Sequence, residues 1–471
     1  MSEEKVKVEQ NEIMELMDTK VKDNNLYNEK RKAFILKGLS SLIACIINTF
    51  GYFSLWILGN SIVYLISLRR YYNSTLTFSY GYFLIPIMDL TLCIAAPIGG
   101  ILEDKIGGKK TIILSTLILC ISFLIMYFSR SIIIDYILMS INGLGVAVGG
   151  NISKKNVCSF FMNKKALICG IIYLIPGFLC ALLNIINEKY ILNPLSESPT
   201  IKGIYYDKKI CLNFQKLIIF EIWLLIITCA STLLLYYQND PKETIEFGFD
   251  EKVVDKKNQK NKIIKKNISK KNEIKKAIFN IRAIKLFIMI FLFYPSINCI
   301  YNTWRPIGIY YKINTYYLQL TTALYSIMGC ISSLIFGLIG DKMQFKTLFV
   351  LLSFCMTFVS FVFPLSFNNN IFFIFEILMV SLILRGFNII IDPHIIKIYG
   401  IKNYIEIAGI IRSSSGICEI LSVIFAFFLE NSFSGDKNYI YKLMYIVAGC
   451  LNLISLFLGF FENDEKFNYY I

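Results

Sequence analysis

Five ionisable residues interrupt stretches that are otherwise apolar: Asp89, Arg385, Asp392, Arg412 and Glu419. A charge at the centre of a membrane span costs roughly 2.5–3.5 kcal/mol unless it pairs or faces water, so each of the five needs a reason to be there. Asp392 follows Arg385 by seven residues and Glu419 follows Arg412 by the same interval. On a helix of about 3.6 residues per turn this puts each pair on one face, two turns apart, close to the limit for a direct ion pair. Two readings are open. The arginines are structural, neutralised by Glu419, Asp392 or Asp89 across helix contacts, or at least one offers an unpaired guanidinium to an anionic substrate, whose carboxylate it grips through two parallel hydrogen bonds. On the second reading Arg412 leads, because Ser413, Ser414, Ser415 and Gly416 adjoin it in a small, polar patch suited to lining water; Arg385, Asp89 and Glu419 complete the charged set. Asn48 and Asn60 add amides that need partners in hydrocarbon. Tyr64, like Trp56, Tyr301 and Trp304, is either packing or substrate contact. Glu221 and Glu376 sit near the ends of their apolar runs, in reach of headgroup water, and His394, beside Pro393, reads as a loop residue.

No covalent chemistry is legible. The chain has no nucleophile elbow, P-loop or zinc motif, and most of its thirteen cysteines lie within apolar runs, with a single histidine elsewhere. Neither a metal, a cofactor nor an enzymatic activity is expected.

The elements that must position these residues are membrane helices. Of 471 residues, 55% are hydrophobic and 17% charged, with a mean hydropathy of +0.57. Apolar runs, each long enough to cross a hydrocarbon core of about 30 Å, lie at about 38–68, 76–102, 111–128, 132–150, 166–186 and 217–237, then at 281–301, 317–340, 348–367, 371–391, 405–429 and 439–460. The expected fold is an all-α membrane protein of twelve spans in two six-helix halves, 38–237 and 281–460. A polar N-terminal tail, 1–37, a strongly basic linker, 238–280, and a short tail, 461–471, complete it. The net charge of +15 sits in loops, so lipid headgroups rather than nucleic acid are the expected partner. Lysine and arginine concentrate in the loops on the side of the N-terminus, which predicts that both termini are cytoplasmic.

The halves share a motif. Gly99-Gly100-Ile101-Leu102-Glu103-Asp104-Lys105-Ile106-Gly107-Gly108-Lys109-Lys110 forms a polar knot between two apolar runs, and Gly337-Leu338-Ile339-Gly340-Asp341-Lys342-Met343-Gln344-Phe345-Lys346 repeats it in worn form. Overlaid, Gly100 falls on Gly337, Asp104 on Asp341, Lys105 on Lys342 and Lys109 on Lys346. The second copy lacks the glycine pair, carrying Gln344 and Phe345 in its place.

This pattern resembles the signature loop between the second and third helices of major facilitator superfamily transporters, which has a degraded repeat between the eighth and ninth. The resemblance implies that Asp104 sits near the start of a helix in the other half, where unpaired N–H groups meet a carboxylate, with a less secure role for Asp341. Phe50-Gly51-Tyr52-Phe53-Ser54-Leu55-Trp56 with the following Gly59-Asn60, and the segment Ser159-Phe160-Phe161-Met162-Asn163-Lys164-Lys165-Ala166-Leu167-Ile168-Cys169-Gly170, are similar to the monocarboxylate-transporter-like and oxalate/formate-antiporter-like branch. That branch implies a monomeric secondary transporter at the plasma membrane rather than an organelle membrane. Its substrate is a small organic anion, moved by alternating access with proton coupling or exchange. One departure stands out: the branch has a basic residue on its eighth helix, and 317–340 has none. Either Arg385 takes over from the tenth span or the substrate differs. An amino-acid carrier, with Arg412 on the α-carboxylate and Asp89 on the amine, and a non-transporting receptor of the same fold are the alternatives.

Overall fold

A computed structural model describes residues 3–76, 78–187, 211–240, 243, 270–311, 313, 315–432 and 437–462. Most of the linker 238–280 and the tail 463–471 therefore lie outside the described residues.

The first half contains α1 (Glu3–Asn60), α2 (Ile62–Arg70), α3 (Leu84–Ile106), α4 (Gly108–Phe128), α5 (Ile132–Phe160), α6 (Lys165–Ile186) and α7 (Asn213–Leu235). After the short α8 (Lys270–Ile278) come α9 (Ile281–Tyr310), α10 (Thr315–Gly340), α11 (Phe345–Val362), α12 (Asn370–Tyr399), α13 (Tyr404–Ser432) and α14 (Lys437–Gly459). Among the described residues, eleven helices are long and apolar enough to cross a membrane, and α10 adds a shorter apolar stretch, Leu324–Gly340. The chain is an all-helical, multi-pass membrane protein. Helix α1 extends back to Glu3 through most of the polar stretch 1–37, and the first apolar run, 38–68, is divided at Ser61 between α1 and α2.

Local chemistry sets the turns. Between α3 and α4 the backbone reverses through Gly107 at φ +84°, a left-handed conformation that a side chain would strain. Gly400, at φ +81°, does the same between α12 and α13. At the start of α12, Asn369 accepts hydrogen bonds from the backbone N–H groups of Ile371 and Phe372, satisfying two of the helix's orphan donors.

In each half, side chains pack inward and leave an apolar outer surface. Leu124, Phe128, Trp223, Phe354, Phe358 and Phe428 are more than half exposed on that surface, as lipid-facing residues must be. A fully buried ion pair, Arg69 Nε to Asp135 Oδ2 at 2.6 Å, ties α2 to α5 within the first half.

The halves meet along two seams: α3 against α13, and α6 against α10. Small residues permit both. A Cβ added to Gly170 would lie 2.5 Å from the Ser333 carbonyl oxygen and 3.0 Å from the Gly337 Cα. One added to Gly416 would lie 2.8 Å from the Leu90 Cα. Backbones this close gain van der Waals contact that larger residues would forbid. We call the face that carries the turns at Gly107 and Asp341 the basic face.

Candidate functional site between the halves

Three charged groupings lie along the contact between the halves. Nearest the basic face, Asp392 of α12 forms ion pairs with Lys154 of α5 at 2.5 Å and with Arg412 of α13 at 2.6 Å. Lys154 also donates to the Tyr173 hydroxyl at 2.9 Å, and Arg412 to the Asn388 carbonyl at 3.3 Å. The Lys154 and Asp392 side chains are 5% and 1% exposed, and that of Arg412 is 25% exposed. Two cations against one carboxylate leave the grouping with an excess positive charge. Arg412 therefore leans on Asp392, across helices, rather than on Glu419 seven residues along its own. Lys154, which reads in sequence as a loop residue beyond a span ending at 150, lies inside α5, because the helix continues to Phe160.

Glu419 goes elsewhere. Its carboxyl lies within hydrogen-bonding reach of that of Asp89 across the α3/α13 seam, where Gly416, one turn before Glu419, packs on Leu90 and the Asp89 carbonyl. Tyr294 and Tyr301 of α9, Cys93 of α3 and Cys418 of α13 lie within electrostatic reach. Asp89 is only about one and a half turns from the start of α3 at Leu84, so the pair sits towards the face opposite the basic one.

Between these groupings stands Arg385. Its guanidinium lies over the Phe53 ring of the other half, 5.1 Å from the centroid, a cation–π contact. Cys180, Cys330, Tyr301 and Tyr325 are within its electrostatic reach. Asp392, seven residues on, is taken by Lys154 and Arg412, and among the described residues no carboxylate forms an ion pair with Arg385. The structure thus separates the two arginines: Arg412 shares the Asp392 carboxylate with Lys154, and among the described residues Arg385 has no carboxylate.

Other candidates fall away from this axis. Tyr64 is buried in the hydrophobic core of the first half, with Leu65, Ile66 and Leu84. Asn60 ends α1, and its side chain lies outside the described residues. Asn48 donates to Ser153 at 2.9 Å within the first half. Glu221 and Glu376 do not reach headgroup water: they are 0% and 2% exposed. His394 is no loop residue but is buried in α12, stacked on Phe345 at 3.8 Å and 3.6 Å from Glu462.

At the basic face the two motif copies act differently. Asp341, in the worn copy, accepts hydrogen bonds from the backbone N–H groups of Ala166 and Leu167, at 2.9 and 3.0 Å. These are the first donors of α6, which belongs to the other half, so the carboxylate meets the positive end of that helix. Lys342 is exposed beside it. In the intact copy Asp104, Lys105 and Lys109 are exposed, while Glu103 pairs with Lys155 of its own half at 2.7 Å. Gly100 and Gly337 do comparable work. Gly337 lets α10 approach Gly170, and a Cβ on Gly100 would lie 2.7 Å from the carboxyl carbon of Glu406 near the start of α13.

No family model and no curated protein matches the sequence. Solved structures do. The proton:xylose symporter XylE, a major facilitator superfamily protein bound to a bromodeoxyglucose, is 11% identical, with 90% of this chain and 94% of that one covered and a TM-score of 0.59. The human organic anion transporter TETRAN is 10% identical over 91% of this chain and 99% of its own, with a TM-score of 0.58. The Escherichia coli fucose:proton symporter FucP is 11% identical over 89% and 99%, with a TM-score of 0.59. Likeness of this extent over nine-tenths of the chain shows the fold: the chain has the major facilitator fold.

Proposed function

We propose that the protein is a secondary transporter that moves a small organic anion, of the monocarboxylate class, across a membrane by alternating access, coupled to protons or by exchange. The observation that carries this reading is the Arg385 guanidinium, half-buried between the halves, lying over the Phe53 ring and, among the described residues, without a carboxylate partner. A desolvated guanidinium favours a planar, two-oxygen anion over a point charge or a neutral ligand. Arg412 adds positive potential from the excess charge of its grouping, and Tyr301 and Tyr325 supply hydroxyls. The place of Arg385 on α12 answers the absence of a basic residue from α10. Of the neighbouring folds, one is named as an organic anion transporter and two as proton:sugar symporters, so xylose and fucose belong in any test panel. The basic loops favour cytoplasmic termini.

The test is ligand-dependent thermal stabilisation of the purified protein by lactate, pyruvate, formate, amino acids, xylose and fucose, since only a ligand that binds the folded state raises its stability. At least one monocarboxylate should stabilise the wild type, and Arg385→Gln should weaken that binding by about 2–5 kcal/mol. Stabilisation by a sugar alone, or by a carboxylate equally in Arg385→Gln, contradicts the reading.

A further inference from the structure

The carboxyls of Asp89 and Glu419 lie in different halves and meet at the α3/α13 seam. Their approach is built into the backbone: Gly416, one turn before Glu419, lies against Leu90, and Cys93 Sγ is 3.9 Å from Ser415 Oγ. A carboxylate has no hydrogen to donate, so two carboxyls hydrogen-bond to each other only with a proton on one of them. Two ionised carboxylates in the same place repel. A second, separate feature faces the same place. Asn298 of α9 is 5% exposed, and among the described residues its amide nitrogen has no hydrogen-bond partner. It lies between Tyr294 and Tyr301 on one face of that helix, and both tyrosines are in electrostatic reach of Asp89 and Glu419. A buried donor thus lies on the face of α9 whose flanking tyrosines reach the two carboxyls.

We propose that Asp89 and Glu419 form one proton-binding site laid across the two halves, and that its bound proton holds the α3/α13 seam closed. In the closed form a single proton is shared, and which oxygen carries it is a property of the pair. On release the O–H bond breaks, the proton passes to water between the halves, and two carboxylates remain. They repel, and one of them takes the hydrogen bond that Asn298 offers. The other groups facing the pair are Tyr294 and Tyr301 from α9, Cys93 from α3 and Cys418 from α13, while Arg412 reaches Cys93 and Tyr294 but is paired with Asp392. α5 presents Gly143 and Ser140 to this part of α3. The inference rests on the reading that the halves part, but not on the choice of substrate, and its test uses no substrate.

The experiment is infrared titration of the full chain in lipid vesicles, combined with amide hydrogen exchange in α3 and α13, each normalised to α6 and α10 of the same sample. The wild type should show a protonated-carboxyl band that is lost in Glu419→Gln and equally in Asp89→Asn. Bands from the buried Glu221 and Glu376 should persist in both variants. Where the band titrates, relative exchange in α3 and α13 should rise about tenfold per pH unit, the slope for one released proton, and this slope should vanish in Glu419→Gln. In Asn298→Leu the band should survive to higher pH, because the freed carboxylate loses its donor. A wild-type spectrum without the band, a band unchanged by Asp89→Asn, or seam exchange independent of pH in the wild type overturns the proposal. Because the wild-type readings decide on their own, a variant that fails to fold does not rescue it.

Discussion

The two seams between the halves occupy equivalent places in the repeat and are closed by different chemistry. Along α6 and α10, glycine meets glycine at Gly170 and Gly337, and Asp341 caps the first N–H groups of α6 at 2.9 and 3.0 Å. That closure uses backbone donors and one exposed carboxylate. Along α3 and α13, polar contacts also lie deeper in the seam, among Asp89, Glu419, Cys93 and Ser415. A duplicated fold thus keeps close backbone contact in both seams, and the α3/α13 seam adds a pair of carboxyls that the described residues of the α6/α10 seam do not show. The charged grouping of Lys154, Asp392 and Arg412 bridges the halves between the seams.

The largest effect should come from removing the shared acceptor of that bridge. Asp392→Asn leaves Lys154 and Arg412 without their carboxylate and should cost about 3–5 kcal/mol, seen as a fall in the thermal unfolding temperature. Lys154→Met should cost less, because Arg412 still neutralises Asp392; the reverse order would show that Arg412 is not its partner. Next, a methyl group should wedge either seam. Gly170→Ala and Gly409→Ala would each bring a Cβ within 2.6 Å of a neighbour in the other half, and overpacking of this kind costs roughly 1–3 kcal/mol. Site-resolved thiol labelling should show faster modification of Cys330 in the first variant and of Cys93 in the second. Labelling of both thiols in both variants would mean that the seams open together. The smallest effect should come from the caps. Asp341→Asn should loosen the α6/α10 seam by about 0.3–2 kcal/mol, read as Cys330 labelling, and Asp104→Asn should change it less. A larger effect at Asp104 would place the decisive cap in the intact copy of the motif.

Much of this architecture was legible in the chain. Apolar runs and the repeated glycine knot carry the helix order, the two halves and the fold. Partner choice was not legible. The seven-residue spacing from Arg412 to Glu419 is a local signal, whereas Lys154 meets Asp392 across 238 positions, and nothing local announces such a contact. For the same reason Lys154 looked like the start of a loop: a lysine ends an apolar run in any hydropathy reading, and only its distant partner lets it stay buried in α5. The cap at Asp341 was underrated because its glycines are worn, yet the carboxylate and the approach of α10 to α6 suffice for capping. Arg385 became the anion candidate only by subtraction, once Asp392 was seen to be taken.

Flux through reconstituted vesicles tests the central claim most directly. Wild-type protein should show saturable uptake of at least one labelled monocarboxylate among lactate, pyruvate and formate. Arg385→Lys should weaken that uptake, because the charge stays and the two-pronged geometry goes, and Arg385→Gln should abolish it while the protein still inserts. Uptake undiminished in Arg385→Gln would contradict the assignment of the anion site, and saturable binding without any flux would contradict transport itself.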